Sequence, residues 1–223
     1  LGYAEADPSF DIDGIDAGHK LAILSGLAFG CVPDFSSIKT KGIRNITPLD
    51  IEFAGELGYR IKLLGIARQT DKGIEQSVEP CLVPKDSPIA TVEGALNAVY
   101  VDGDYVGKVL MMGYGAGGKP TASAVVADII DIARGHRIPA FGVPSNVLTR
   151  LPPSPLARHR GAYYVRFMVL DRPGVFAEIA AALRDHAVSM ESILQHSRAP
   201  GERVPVVLTT HESDERAIRA TLK

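Results

Sequence analysis

Asp16 and Lys20 stand four residues apart at the mouth of an apolar segment, a spacing that puts both on one face of a helix. They close the stretch "GYAEADPSFDIDGIDAGHK", residues 2–20, which carries the carboxylates of Glu5, Asp7, Asp11, Asp13 and Asp16 and no basic residue before His19 and Lys20. Taken alone, the pair reads as a surface ion pair contributing about 0.3–0.5 kcal/mol. The acids before it can equally be charge that complements a helix N-terminus. The chemical alternative is a site for a small zwitterion with a reacting oxygen. Carboxylates such as Glu5 and Asp11 can hold an ammonium group, and a lysine can give a proton to, or take one from, an alcohol oxygen as its charge changes. Asp16 would then orient that lysine.

These residues need a scaffold, and the pattern after Asp16 predicts a helix with Leu21, Leu24, Leu27 and Ala28 on its inner face. "TPLDIEFAGELG" predicts another, with Thr47 as N-cap, Pro48 at the first helical position, Asp50 closing a capping box and Gly58 ending it. "YRIKLLGIAR" and "IEQSVEPCLV" read as strands joined at "TDKG". "LNAVYV" and "YVGKVLMM" read as a second pair turning at Asp102-Gly103-Asp104, and a long helix starts at Pro120. Helices on one face of a mostly antiparallel or mixed sheet follow, an α+β class. Residues 135–162 are proline-rich with little periodicity and read as a linker. From Tyr163 the order is strand, helix, strand, strand, helix, with Ser213 capping the last helix: a ferredoxin-like βαββα pattern without a final strand.

"GYGAGG", residues 113–118, matches G-x-G-x-x-G between a strand and a helix. A Rossmann unit requires a second parallel strand after that helix, and here the proline-rich segment follows instead. The loop is therefore either a tight turn or a Gly-rich backbone close to a phosphate-bearing ligand held mainly elsewhere.

The 223 residues carry a net charge of −2, which gives no basis for a nucleic-acid or anionic-membrane partner. No apolar run is long enough to span a membrane and no signal peptide is recognisable, so the cytoplasm is the expected location. Cys31 and Cys81 form no framework; Cys31, in "FGCVPD", reads as a buried structural thiol rather than a nucleophile. His19 points away from Lys20 on a helix and reads as a packing or surface residue. The histidines lack metal-ligand spacing and the opening acids lack a calcium-loop pattern, so no metal is expected. The first residue is Leu1 and "SDERAIRATLK" reads as an unfinished helix, which together suggest a piece of a longer protein.

"GYAEADPSFDIDGIDAGHKLAIL", "GIRNITPLDIEFAGELGYRIKLLGIAR", "SPIATVEGALNAVYVDGDYVG" and "GYGAGGKPTASAVVADIIDIAR" together resemble the catalytic part of homoserine dehydrogenases, in order, spacing and side-chain type. "DRPGVFAEIA" resembles the first turn and helix of an ACT domain, which one bacterial architecture of the family carries at this place. The resemblance implies a catalytic domain over 1–134, a linker over 135–162 and a truncated ACT domain over 163–223. It implies NAD(P)-dependent interconversion of L-homoserine and L-aspartate 4-semialdehyde on the way to threonine, methionine and isoleucine. Lys20 matches the catalytic lysine, Asp16 the acid beside it, and Glu5 and Asp11 the substrate-binding acids. Gly115 and Gly117 are the expected cofactor contacts, although Tyr114 and Lys119 depart from the smaller, less charged residues expected around them. NAD or NADP would be bound mainly by an amino-terminal domain that this sequence lacks. Gly174 and Ser192 are the expected contacts of a regulatory amino acid, threonine by pathway logic, and a homo-oligomer is expected. The competing reading is a non-enzymatic amino-acid-binding regulator. Lys20 discriminates the two, since a binding module has use for the acids but none for an acid–base lysine.

Overall fold

Pro8 opens a single helical turn, α1 (Ser9–Ile12), and after Asp13 and a left-handed Gly14 the chain enters α2 (Ile15–Phe29). The computed structural model describes residues 7–154, 159–196 and 199–222. The buried face of α2 consists of Gly18, Leu21, Ala22, Ser25 and Gly26. Leu24, Leu27 and Ala28, expected to face inward, are exposed. The reason is proximity: the helix lies so close to its neighbours that a Cβ on Gly18 would strike the Phe35 ring, so small residues rather than leucines form the contact.

After β1 (Lys39–Thr40) comes α3 (Pro48–Glu56). Its capping box forms as the sequence predicts: Thr47 N donates to Asp50 Oδ2 at 2.9 Å and Asp50 N to Thr47 Oγ1 at 3.3 Å. Two long strands, β2 (Tyr59–Thr70) and β3 (Gly73–Pro84), form an antiparallel hairpin closed by Asp71-Lys72, and β1 adds to β3 in parallel. Leu21 and Ala22 of α2 meet Val78 of β3 and Ile38 in a core that Ala17, Phe35, Leu63 and Ala67 complete. A second hairpin pairs β4 (Leu96–Gly103) with β5 (Gly107–Tyr114). Its loop is Asp104–Val106 rather than Asp102–Asp104, because Gly103 pairs with Gly107; Tyr105 at the tip is fully solvated. The following helix, α4 (Gly118–Ala133), starts two residues before Pro120 and leaves Val125, Val126, Ile129, Ile130 and Ile132 exposed.

The proline-rich segment is more than a tether. Val32 N donates to Thr149 O at 2.9 Å, Thr149 N to Gly30 O at 3.1 Å, and Ile74 N to Pro152 O at 2.9 Å. Proline stretches satisfy neighbouring backbone groups without periodicity of their own, so the pattern read as a linker conceals a strap. Leu1–Ile46 and Ala54–Pro153 accordingly form one compact unit, and Thr47–Phe53 with Ser154–Lys223 form another.

In the second unit, β6 (Arg160–Gly161) precedes β7 (Tyr164–Leu170), α5 (Val175–Asp185), β8 (Met190–Leu194) and β9 (Arg203–Thr210); β10 (Ser213–Asp214) and α6 (Glu215–Thr221) end the chain. The sheet order is β7-β9-β8, all antiparallel, and β10 pairs with β6. Ser213 is not a cap: its hydroxyl donates to His211 O and Asp214 holds the N-cap position, because the bridge to β6 takes Ser213 into a strand. Leu183 of α5, Ile218 of α6 and Leu208 of β9 form the core with Val165, Phe167 and Ile193 around them. Alternation puts Tyr164 and Arg166 on the opposite sheet face, where they meet Asp50 of α3. With both faces covered, Val204, Val206, Val207 and Leu208 are all buried, which explains the unbroken apolar run of β9.

Candidate active site

The corner between α1 and α2 gathers the acids. Lys20 Nζ donates to Asp16 Oδ2 at 2.5 Å, one helical turn apart as the spacing predicts. The two side chains are 62% and 37% exposed, so a small molecule can reach the pair. Ser9 N donates to Asp7 Oδ1 at 3.0 Å, and the bonds from Ser9 hold the Asp7 carboxyl below its ordinary range. Asp13 is engaged by Arg44, which lowers its carboxyl in the same sense. Asp11 is exposed and its carboxylate has no hydrogen bond or ion pair among the described residues. Among the described acids of this corner, only Asp11 is thus uncommitted. Glu5 lies outside the described residues.

Buried polar contacts fix α2, and with it Lys20. Ser25 Oγ donates to Leu21 O at 2.8 Å, and Gln76 Nε2 of β3 donates to Ser25 Oγ at 2.7 Å. Such buried bonds cost most when one partner is lost, so they set the helix's position along the sheet. His19 packs its ring against Phe35 at 4.1 Å and Phe10 at 5.8 Å. Cys31 is buried, donates to Ser25 O at 3.5 Å, and burial raises its thiol, which suits a structural role. Burial and Glu79 push the Cys81 thiol up to about 11.

Gly115 and Gly117 lie in the loop between β5 and α4, and neither Asp16 nor Lys20 bonds to that loop. Gly117 has φ +122°, a backbone that side chains rarely adopt, and no side chain caps the helix it precedes. A bare helix N-terminus with Lys119 in its first turn suits an anionic group such as a phosphate.

In the second unit, Gly174, left-handed at the N-cap of α5, borders a cleft of about 500 Å³ together with Asp171, Arg172, Phe176 and Gln195. Ser192 does not border it. Its hydroxyl lies 2.6 Å from Thr209 Oγ1 across β8 and β9, and Gln195 faces the cleft from just beyond the same strand. Strand alternation and the cross-strand hydroxyl pair turn Ser192 aside.

The model of the homoserine dehydrogenase family matches residues 1–130, and that of the ACT domain residues 163–223. The chain belongs to the homoserine dehydrogenase family. It is 45% identical to the homoserine dehydrogenase of Pseudomonas aeruginosa over 98% of its length, and 45% identical to that of Neisseria gonorrhoeae over its whole length; it covers 52% of each. The crystal structure of a homoserine dehydrogenase from Thiobacillus denitrificans superposes with a TM-score of 0.89 at 48% identity, over 99% of this chain and 51% of that one. The chain therefore spans about half the length of the relatives it matches. An α+β part that matches the homoserine dehydrogenase family, followed by an ACT domain, is the architecture of this chain, as its sequence predicts.

Sequence reasoning missed Arg44, Ser25 and Gln76. Arg44 sits in "GIRN" with no local acid to mark it, and Ser25 and Gln76 are single polar residues in apolar segments whose only signal is that a buried polar group needs a partner.

Proposed function

We propose that Asp11, Asp16 and Lys20, with Glu5, form the substrate half of a dehydrogenase that interconverts L-homoserine and L-aspartate 4-semialdehyde. The observation that carries this is the Asp16–Lys20 contact beside an uncommitted Asp11, in a chain of the homoserine dehydrogenase family. Homoserine is a zwitterion with a terminal hydroxyl. Asp11 and Glu5 hold its ammonium group. Lys20 takes up the hydroxyl proton as the carbonyl forms, and returns it to the developing alkoxide in the reverse direction. Asp16 holds Nζ in place. A nicotinamide cofactor, NAD or NADP, supplies the hydride acceptor or donor when bound. Here the backbone of Gly115 and Gly117 would contact its phosphates, the rest of its site lying outside this chain. The exposed apolar face of α4 suits packing against a further part of a full-length enzyme.

The ACT domain carries a second role, feedback control by a small amino acid, threonine being the product that the pathway would return. The ligand carboxylate meets the free amides at the start of α5, beside Gly174, and Gln195 faces it from across the cleft. Pairing of two such domains gives a homo-oligomer and covers exposed strand edges.

The test of the chemistry is Lys20→Ala in a chain of the relatives' full length. Loss of a general acid–base group removes about 10²–10⁴-fold in kcat with substrate affinity largely kept. A loss smaller than about fivefold contradicts the assignment.

A further inference from the structure

Helix α1 is a single turn of four residues. A helix that short does not persist in water, because fixing its first turn costs more than its few hydrogen bonds return. Yet it carries Asp11, the carboxylate left free to meet a ligand. The segment 42–44 holds it. Arg44 Nε donates to Asp13 Oδ1 at 2.5 Å and Nη2 to Asp13 Oδ2 at 2.9 Å, while the same Nη2 donates to Ser9 Oγ at 2.8 Å. Ser9 begins α1 and Asp13 is its C-cap, so one guanidinium spans the turn end to end. Ile43 N donates to Ile12 O at 2.9 Å. At Gly42 a Cβ would strike Ile12 O and Asp13 Cα, so the backbone itself rests against the turn.

We infer that Arg44 is a positioning residue for the amino-acid substrate: through Ser9 and Asp13 it fixes the one-turn helix from which Asp11 meets the substrate's ammonium group. This rests on homoserine being the substrate. The fork also neutralises Asp13, which would otherwise offer the ammonium a second, misplaced anion two residues from Asp11. An exposed ion pair adds little to stability, so the effect of losing it falls on binding rather than on melting. A lysine replaces it only in part, because a single ammonium lacks the planar fork that serves both partners at once.

The experiment compares wild type, Arg44→Ala and Arg44→Lys in a chain of the relatives' full length. In Arg44→Ala, KM for homoserine rises about tenfold or more while kcat stays within about threefold, and KM for the nicotinamide cofactor and Tm stay close to wild type. Arg44→Lys recovers part of the loss. Hydrogen exchange read without substrate shows the amides of Ile12 and Asp13, which bond to Pro8 O and Ser9 O, losing protection in Arg44→Ala. An unchanged KM in an active Arg44→Ala enzyme overturns the inference. So does a raised KM with unchanged exchange, since α1 would then not be the route. A wild-type enzyme that does not oxidise homoserine overturns the substrate reading itself, and the inference with it.

Discussion

Asp50 and Arg166 are 116 positions apart in sequence and meet at 2.8 Å, with the Asp50 side chain 4% exposed and that of Arg166 27%. The same carboxylate accepts from Tyr164 OH at 2.8 Å and from Thr47 Oγ1 at 2.7 Å. A helix-capping residue is thus also the buried anion that receives two side chains of the ACT sheet. Burial pushes the Asp50 carboxyl up, but the bonds from Thr47, Tyr164 and Arg166 outweigh it and hold it below its ordinary range. Burial and the Asp50 carboxylate raise the Tyr164 hydroxyl, so it stays a donor.

Asp50→Ala is therefore expected to cost about 3–5 kcal/mol, because it strands a half-buried guanidinium and removes the cap at once. The sign of the pH dependence follows from the lowered folded-state pKa. The stabilisation is present above the unfolded carboxylate pKa of about 4 and is lost as pH falls through the lower folded value. Melting curves at acid pH should show wild type losing Tm below about pH 4 more steeply than Asp50→Asn. Parallel slopes would remove Asp50 from the acid transition.

Asp11→Asn should raise KM for homoserine more than it lowers kcat, since it removes the proposed charge partner of the ammonium group without touching the Asp16–Lys20 pair. Glu5→Gln should act in the same direction. Steady-state kinetics on both would expose an error if kcat fell and KM did not move.

Gly174→Leu should relieve inhibition by threonine in the full-length enzyme while leaving KM for homoserine unchanged. The substitution strains a left-handed backbone at φ +93° and puts a side chain where the α5 amides face the cleft. Inhibition curves that coincide for wild type and variant would place the effector elsewhere.

This chain by itself should bind NAD(P) too weakly to register in the micromolar range, because it holds only the Gly115–Gly117 turn and α4 of the proposed cofactor side. Calorimetric titration giving micromolar affinity would mean that the "GYGAGG" loop is a nucleotide site of its own.

Much of this architecture is legible in the sequence where the signals are local. The Thr47/Asp50 capping box, the "TDKG" hairpin and the Asp16/Lys20 spacing all form as read. Packing between distant segments is less legible. Hydrophobic periodicity picks out Leu24 and Leu27 on α2, yet close approach selects the glycines and Ser25 instead. The bond from Gln76 to Ser25 spans 51 residues and that from Arg44 to Asp13 spans 31, and no pattern in either segment announces its partner. Ser192 shows the same limit: strand position gave its register, while Thr209 on the neighbouring strand decides where its hydroxyl goes.

Helix α3 starts in the same unit as the ACT sheet and ends in the other. The stretches that match the two family models are therefore not freely portable modules. A gene fragment encoding only 163–223 would translate Tyr164 and Arg166 without the carboxylate they meet. Recombination that exchanges ACT domains between homologues must bring along the heptapeptide Thr47–Phe53, encoded far upstream, or leave a mismatched seam. Coevolution in this family should accordingly couple codon 50 to codons 164 and 166 more tightly than to its immediate neighbours, as expected if a sheet and a distant turn of helix are inherited together.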